Sequence, residues 1–493
     1  MRVLFWARGA ESLGVEQLMS CLEARGHEVE LLFDPGLDNN LYYRFPPLKL
    51  LNRWDRLERR ARDWKPDLVA FAVPTNIYPF AREFAKRLKP AVRVPFIFGG
   101  LHPSALPEVV LRDPEVDFVC RGEGEETIVE LADALAAGRP VDGIRNLCWR
   151  EGGEVRVNPL RPLIADLDSL PFPKRDHFYR AGAFKTMLHV LTARGCPFSC
   201  TYCVNSFLHD KLYKEIPGRA PLVRQRSPES VVAEIRDAAA RWPIDHIFFI
   251  DEILITRKEW LRRFLDLYRR ECRGITFSFS YHHRFMDAEI AQWLAEAGAT
   301  FAQGAIETAN PALRREVLGR TDQDEDILRA VRLLREVGIK VSTSAIFGIP
   351  RETAENRWET VRLVEQSRPD MLNTYMLYPF PGTRVAELAR AEGYLSDAGW
   401  EDVCLGRSSY HQDSVLQNMD LDNAATVAKL LPLYVMGPQV LKPLWRALMR
   451  GRFPRLAHFL YVASVPLLYK DWALRWVANL VRMFWFRLTG RSA

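Results

Sequence analysis

Between Arg194 and Cys203 the chain reads Arg-Gly-Cys-Pro-Phe-Ser-Cys-Thr-Tyr-Cys, a C-x3-C-x2-C spacing that directly follows the apolar, β-type run Met187–Thr192. Three thiolates this close converge on one metal centre only where the chain loops around it, and Gly195 and Pro197 supply the turn. Thiolates at this density select zinc or an iron–sulfur cluster. A closed zinc site takes four protein ligands. No fourth cysteine lies nearby, and His209, six residues on, is the nearest candidate. A cubane cluster held by three cysteines instead leaves one iron open to a substrate or cofactor.

The chain around this loop alternates strands and helices. Strands are expected at Val3–Trp6, Val29–Phe33, Leu68–Val73, Pro95–Phe98 and Phe118–Cys120, with amphipathic helices such as Val15–Arg25, Phe80–Leu88 and Thr127–Ala137 between them. That order predicts a parallel, doubly wound sheet, which binds ligands at the carboxyl ends of its strands. The loops expected there are Gly9-Ala-Glu11-Ser-Leu-Gly14, Pro74-Thr75-Asn76, Gly99-Gly100-Leu-His102-Pro-Ser104 and Arg121-Gly122-Glu123-Gly124-Glu125. Residues 147–158 read as a β-hairpin around Glu151-Gly-Gly-Glu154, and the proline-rich Pro159–Asp176 as a linker. From Met187 the alternation resumes as six β/α units, with strands Met187–Thr192, Ile247–Ile250, Phe277–Tyr281, Phe301–Ile306, Val341–Phe347 and Leu372–Leu377. In barrels, chemistry sits where such strands end. Those ends carry Asp251-Glu252, His282-His283-Arg284, Glu307-Thr308, Gly348-Ile349-Pro350 and Pro379-Phe-Pro-Gly-Thr383.

The cysteine loop, with Tyr202 just before its last cysteine, resembles that of the radical S-adenosylmethionine (SAM) enzymes. The Gly-Gly-x-His-Pro and Arg-Gly-Glu-Gly-Glu segments ahead of it resemble the N-terminal domain of the cobalamin (vitamin B12)-dependent branch of that family. Gly304-Ala-Ile-Glu307-Thr-Ala-Asn310, Phe347–Thr353 and Pro379–Thr383 resemble the family's later strand ends, so the likeness spans about residues 1–395. It implies a Rossmann-like cobalamin-binding domain over 1–145, hairpin and linker over 146–185, a partial (β/α)6 barrel over 186–395, and a mostly helical region over 396–493. It implies a [4Fe-4S] cluster on Cys196, Cys200 and Cys203 whose open iron chelates SAM. Tyr202 and the Gly348–Ile349 segment then belong on the adenine side, and Glu307 at the ribose. For cobalamin it points to Glu11, Thr75, Gly99, Gly100, Gly122 and Gly124. Asp251 and His283 are the substrate-side candidates.

One departure matters. Cobalamin domains carry Asp-x-His-x-x-Gly after the first strand, where the histidine ligates cobalt; here the stretch is Gly9-x-Glu11-x-x-Gly14. Cobalamin is therefore expected to bind without a protein histidine on cobalt, and His102 to pack its own loop.

Composition narrows the classes. The 493 residues exceed one core, and 48% hydrophobic with 26% charged content describes a folded chain. Eight cysteines, three in one loop, are not a secreted disulfide framework, and with no signal-peptide pattern at the N-terminus a reducing cytoplasm is expected. Residues 430–493 hold ten Lys/Arg and one acidic residue, leaving the rest of the +6 chain slightly negative. The body thus shows no electrostatic footprint for nucleic acid. Leu456–Tyr469, 14 uncharged residues, is too short to span a bilayer. Leu474–Leu488, with three arginines among Trp, Val, Leu and Phe, reads either as an interfacial helix on anionic lipid or as a cap on the barrel.

The resemblance implies a reductive cleavage of SAM to a 5′-deoxyadenosyl radical, fed by a low-potential donor of flavodoxin or ferredoxin type. Methylation of an unactivated carbon in a small-molecule substrate, lipid-like if the C-terminal region contacts membrane, is the first reading. Ring formation or rearrangement without net methyl transfer is the second. A cofactor-binding regulator is the alternative of another class, and the ribose- and adenine-side segments speak against it.

Overall fold

The structure is a computed structural model that describes residues 1–36, 54–181, 186–216, 218, 221–407 and 414–468. It opens on a parallel sheet: β1 (Arg2–Arg8), β2 (Glu28–Asp34), β3 (Leu68–Ala72), β4 (Phe96–Gly99) and β5 (Phe118–Cys120), in the order β2-β1-β3-β4-β5. β1 runs six consecutive buried residues, Val3–Arg8, because helices cover both sheet faces. On one face Val15, Met19, Leu22 and Leu131 come from the helices Leu13–Ala24 and Glu125–Ala136. On the other, Trp6 stacks on Phe84 of the helix Tyr78–Val92 at 5.6 Å between ring centroids. Each such side chain contributes about 1.5–3 kcal/mol by burial. The strand order reverses at β1/β3, and a ligand crevice is expected there.

The hairpin, β6 (Leu147–Glu151) and β7 (Glu154–Val157), is not part of the linker. It extends the sheet, β6 pairing antiparallel with β5 through Phe118↔Trp149. Fully buried Leu147 and Cys148 take it into the first domain's core, which moves the end of that domain past residue 145. The linker is strapped to the helix Leu13–Ala24. Gln17 Nε2 donates to the Pro171 carbonyl (2.8 Å), Ser20 Oγ to that of Phe172 (2.7 Å), and the Lys174 N–H to that of Glu16 (3.1 Å).

The second sheet is all parallel: β8 (Met187–Val190), then, beyond a two-residue antiparallel pair β9 (Ala193–Arg194) and β10 (Arg224–Gln225), β11 (His246–Phe249), β12 (Thr276–Ser280), β13 (Ala299–Gln303), β14 (Lys340–Phe347) and β15 (Met371–Met376). Their spatial order, β15-β14-β13-β12-β11-β8, is that of a partial barrel. Its helices start on the caps the sequence provides. Ser227 Oγ accepts from the Ser230 N–H and Asp287 from that of Ile290, while Thr353 and Asn356 form a reciprocal capping box.

The C-terminal region is helical. Leu421–Met436 lies against β14 and β15, burying Val427, Leu431 and Tyr434 with Phe347, Leu372 and Met376, and Thr374 Oγ1 donates to the Ala428 carbonyl (2.6 Å). Pro454–Leu468 packs on it in turn. No helix among the described residues is long and apolar enough to cross a membrane. The Leu474–Leu488 segment lies outside the described residues.

Candidate active site

The cysteine loop is fixed at both ends. At Gly195 φ is +95°, and a Cβ there would stand 2.0 Å from the Leu222 carbonyl oxygen, so only glycine admits the turn. Further on, the Thr201 N–H donates to the Leu318 carbonyl (3.0 Å) and its hydroxyl to that of Val317. Cys196 is buried, and Cys200 and Cys203 are half-buried. Burial pushes the Cys196 thiol up to about 12 and Cys203 to about 11, and raises Cys200 as well. An iron centre of high positive charge would reverse that and take them as thiolates. Among the described residues no three His, Cys, Asp or Glu side chains converge at single-ion spacing. Thiolates that each hold a different iron of one cluster need no such convergence. The loop's three thiols fit a cubane that leaves one iron open.

A buried polar network grips the loop from the barrel. Tyr202 Oη donates to Glu307 Oε1 (2.9 Å), and Ser344 Oγ to Glu307 Oε2 (3.2 Å). Arg320 donates to Tyr202 Oη (3.2 Å), to the Ala305 carbonyl (3.1 Å) and to Asp322 (2.8 Å). His282 Nε2 lies 3.2 Å from Asp322, and its ring stacks on Phe198 of the loop at 3.9 Å. Burial raises the Glu307 carboxyl, against the nearby Arg320 charge and its two hydroxyl donors. Glu307 also holds φ +62°, a conformation costing a non-glycine residue about 1–3 kcal/mol and found where a site dictates it. Ile349 is fully buried in one cluster with Tyr202, and the Gly348 N–H donates to Glu352 (2.9 Å). Arg320 and Asp322 are the members that the strand-end reading left out, while His282 stands there beside His283 without a role assigned to it. Arg320 and Asp322 lie beyond the strand-four segment, past the short helical turn Leu313–Val317, where period-based reading has no purchase.

The two substrate-side candidates sit differently from expectation. Asp251 is buried and accepts from the Thr192 N–H (3.0 Å), Thr192 Oγ1 (2.8 Å) and the Ala193 N–H (2.8 Å), so it anchors the entry to the cysteine loop. His283 is fully buried, within hydrogen-bond distance of the Ala305 carbonyl (3.1 Å), and burial lowers it to about 3. It is a neutral brace under Gly304, whose missing Cβ would otherwise lie 2.9 Å from the imidazole. The neighbour Glu252 instead is reached by solvent while closely surrounded by protein, which raises its carboxyl, and its charge acts on Cys196 and Cys203.

Between the domains lies a cavity of ≈ 370 Å³. Gly14, Gly99, Gly100, Gly122 and Gly124 line it from the carboxyl edge of the first sheet, and Leu191, Ala193 and Arg194 from the mouth of the barrel. The linker forms a third wall through Leu167, Leu170 and Pro171. At Gly100 φ is +104° and a Cβ would stand 3.2 Å from the Val73 nitrogen, so this edge stays bare of side chains and open to a large flat ligand. That cradle fits a corrin, and no histidine lines it.

Glu11 and Thr75 lie off the cavity wall. Glu11, fully buried, meets His189 Nδ1 of β8 at 3.1 Å across the domain boundary, and Thr75 Oγ1 lies 3.3 Å from His102 Nδ1. His102 packs against the neighbouring segment after β3 rather than within its own loop, its ring 4.3 Å from that of Tyr78. The charged residues of Arg121-Gly-Glu-Gly-Glu125 form an interdomain clamp. Glu123 accepts from Arg194 (2.8 Å) and doubly from Arg224 (2.8 and 3.0 Å), Arg194 also reaches Glu125, and Arg121 reaches Glu215 (3.0 Å).

Two family models match: "B12 binding domain" over residues 9–132 and "Radical SAM superfamily" over residues 190–364. An uncharacterized methyltransferase of Pyrococcus horikoshii is 30% identical over 397 residues, covering 79% of this chain and 80% of that protein. The anaerobic magnesium-protoporphyrin IX monomethyl ester cyclase of Rubrivivax gelatinosus is 27% identical over 409 residues, covering 77% and 68%. Among solved structures, the radical S-adenosylmethionine methyltransferase TsrM from Kitasatospora setae, with cobalamin and a [4Fe-4S] cluster bound, shares the fold. It has a TM-score of 0.64 at 19% identity, over 91% of this chain and 98% of that one. This chain belongs to the cobalamin-dependent radical S-adenosylmethionine enzymes, whose cofactors are a [4Fe-4S] cluster, SAM and cobalamin.

Proposed function

We propose that this enzyme methylates an unactivated carbon of a small-molecule, lipid-like substrate. The observation that carries the reading is that one cavity is walled both by the glycine edge of the B12-binding domain and by Arg194, two residues before the first cysteine of the cluster loop. When bound, the cluster and SAM supply a hydrogen-abstracting adenosyl radical and cobalamin a transferable methyl group. The chain's own part is to hold and orient. Cys196, Cys200 and Cys203 ligate the cluster. Tyr202, fixed by Glu307 and Arg320, and the Gly348–Ile349 segment, in one cluster with it, would hold SAM on its adenine side, and Glu307 would serve its ribose. Glu252, beside the thiols, takes a cationic group presented there. The clamp of Glu123 on Arg194 and Arg224 seals the boundary and keeps water from the radical.

The methyltransferase name of the Pyrococcus relative supports this reading, and the cyclase name of the Rubrivivax relative supports ring formation as the second. Both require a low-potential electron donor of flavodoxin or ferredoxin type and a reducing, cytoplasmic setting. Peripheral membrane contact through the C-terminal region belongs to the same reading. The test is anaerobically reconstituted protein with cobalamin, reductant, SAM and a cellular lipid extract, with Cys200→Ala as control. 5′-Deoxyadenosine together with S-adenosylhomocysteine, both lost in the control, is the expected result. Deoxyadenosine alone favours ring formation, and neither product from iron-replete protein refutes the enzyme reading.

A further inference from the structure

Seven of the ten large hydrophobic side chains exposed among the described residues fall between 440 and 462. Leu456 (47%), Phe459 (67%) and Val462 (46%) recur every third residue of the helix Pro454–Leu468 and so share one face. Ala457 on another face is buried, and Leu460 packs into the core shared with Leu421–Met436. Val440 (82%), Leu444 (49%) and Phe453 (49%) come from the segment leading into that helix. Such clustering on a folded surface marks an interaction site.

Charge decides what covers it. Residues 430–468 hold five Lys/Arg and no Asp or Glu, and Arg450, Arg452 and Arg455 are exposed. Arg450, Arg452 and Phe453 open with Trp358 onto a recess of ≈ 600 Å³ whose one carboxylate, Asp420, already accepts from Arg452 (3.0 Å). The following residues, 469–493, add five more Lys/Arg against one Asp, so this chain's own continuation would not neutralise the face, and neither would a second copy of it. A partner must supply negative charge and an apolar interior together. We propose that the face built by residues 439–462 rests on an anionic bilayer, Phe459 and Leu456 entering the headgroup boundary and the three arginines meeting lipid phosphates. It deepens the peripheral contact proposed above for the C-terminal region and uses none of the cavity residues, so its failure would leave the methylation chemistry standing.

The test is flotation of the full chain with vesicles of phosphatidylcholine alone or mixed with phosphatidylglycerol, at low and high salt. Binding is expected to the mixed vesicles, at least about tenfold over the neutral ones, and to fall with salt. Phe459→Asp, and separately Arg450→Glu with Arg455→Glu, should each cut it about tenfold or more. Unchanged iron content and circular dichroism would show that these surface variants fold. No binding, equal binding to neutral vesicles, or full binding by folded Phe459→Asp would overturn the proposal. So would concentration-dependent self-association that Phe459→Asp abolishes without vesicle binding.

Discussion

Replacing Glu123 by alanine takes away four hydrogen bonds at once: one from Arg194 (2.8 Å), two from Arg224 (2.8 and 3.0 Å) and one from the Ile164 N–H (2.9 Å). Only 11% of its side chain and 5% of that of Arg224 is exposed, so the attraction is little screened. Stranding one partner of a buried pair costs about 3–5 kcal/mol. Arg194, at 21% exposure and with Glu125 in reach, recovers part of that, which puts Glu123→Ala near the low end, about 3 kcal/mol. At 1.4 kcal/mol per decade this is about a hundredfold rise in the population with the domains parted. Parting frees the linker from its straps, so protease nicking within 158–175 reads the equilibrium. Burial alone would raise the Glu123 carboxyl; the hydrogen bonds from Arg224 and the charges of both arginines outweigh it and hold the folded group below its ordinary value. Its contribution is therefore complete above the unfolded pKa of about 4.3 and lost as pH falls through the folded one. Glu123→Gln keeps an acceptor, should nick at an intermediate rate, and should flatten that acid limb. Glu229→Gln removes an exposed pair with Arg263 and serves as control. Nicking of Glu123→Ala within about threefold of that control would refute the clamp.

Gly195→Ala forces a Cβ onto the Leu222 carbonyl at a φ that costs about 1–3 kcal/mol by itself; iron and sulfide per chain after reconstitution should fall well below the wild-type value, and full loading would count against the geometry. Glu252→Gln should retain full iron yet bind its cationic ligand about tenfold to a hundredfold more weakly, read by titration of SAM; unchanged binding would remove it from the site. Burial lowers His102 to about 4, so the unfolded chain holds the extra proton between about pH 4 and 6.5 and stability drops as pH falls through that window, by about 1.4 kcal/mol per pH unit. His102→Phe should reduce the slope by that amount in denaturant unfolding at stepped pH, and an unaltered slope would show that His102 is already charged.

Long-period features were legible in the sequence. The apolar run at Val3–Trp6 became β1 because a parallel strand covered on both faces is buried throughout, and Met187–Thr192 became β8, which buries Leu188 and Val190 on alternate positions. What was not legible is what depends on a partner far away in sequence. The hairpin at 147–157 shows its turn locally, but nothing local says that Trp149 pairs with Phe118. Pro171 and Leu170 read as linker because they have no periodicity, yet they wall the cavity. Asp251 and Glu252 are adjacent acids at one strand end. Which one turns to the loop backbone and which stays exposed follows from the direction the chain takes after β11, a tertiary fact. Glu11 was placed near the ligand by its motif position, whereas the His189 opposite it, on β8, draws it across the boundary.

The helix Leu421–Met436 sets where this protein can be cut. It covers Phe347, Leu372 and Met376 on the outer layer of the last two barrel strands, and Trp445, Met449 and Ala457 finish the same core. A fragment ending near residue 395, where the β/α repeat stops, would bare that layer along the terminal strand, a template for pairing with other chains. The smallest piece expected to stay monodisperse therefore runs through residue 457, some sixty residues beyond the catalytic repeat. A solubility series of such truncations would locate that edge directly, and would show that the tail of the chain is masonry for the barrel before it is anything else.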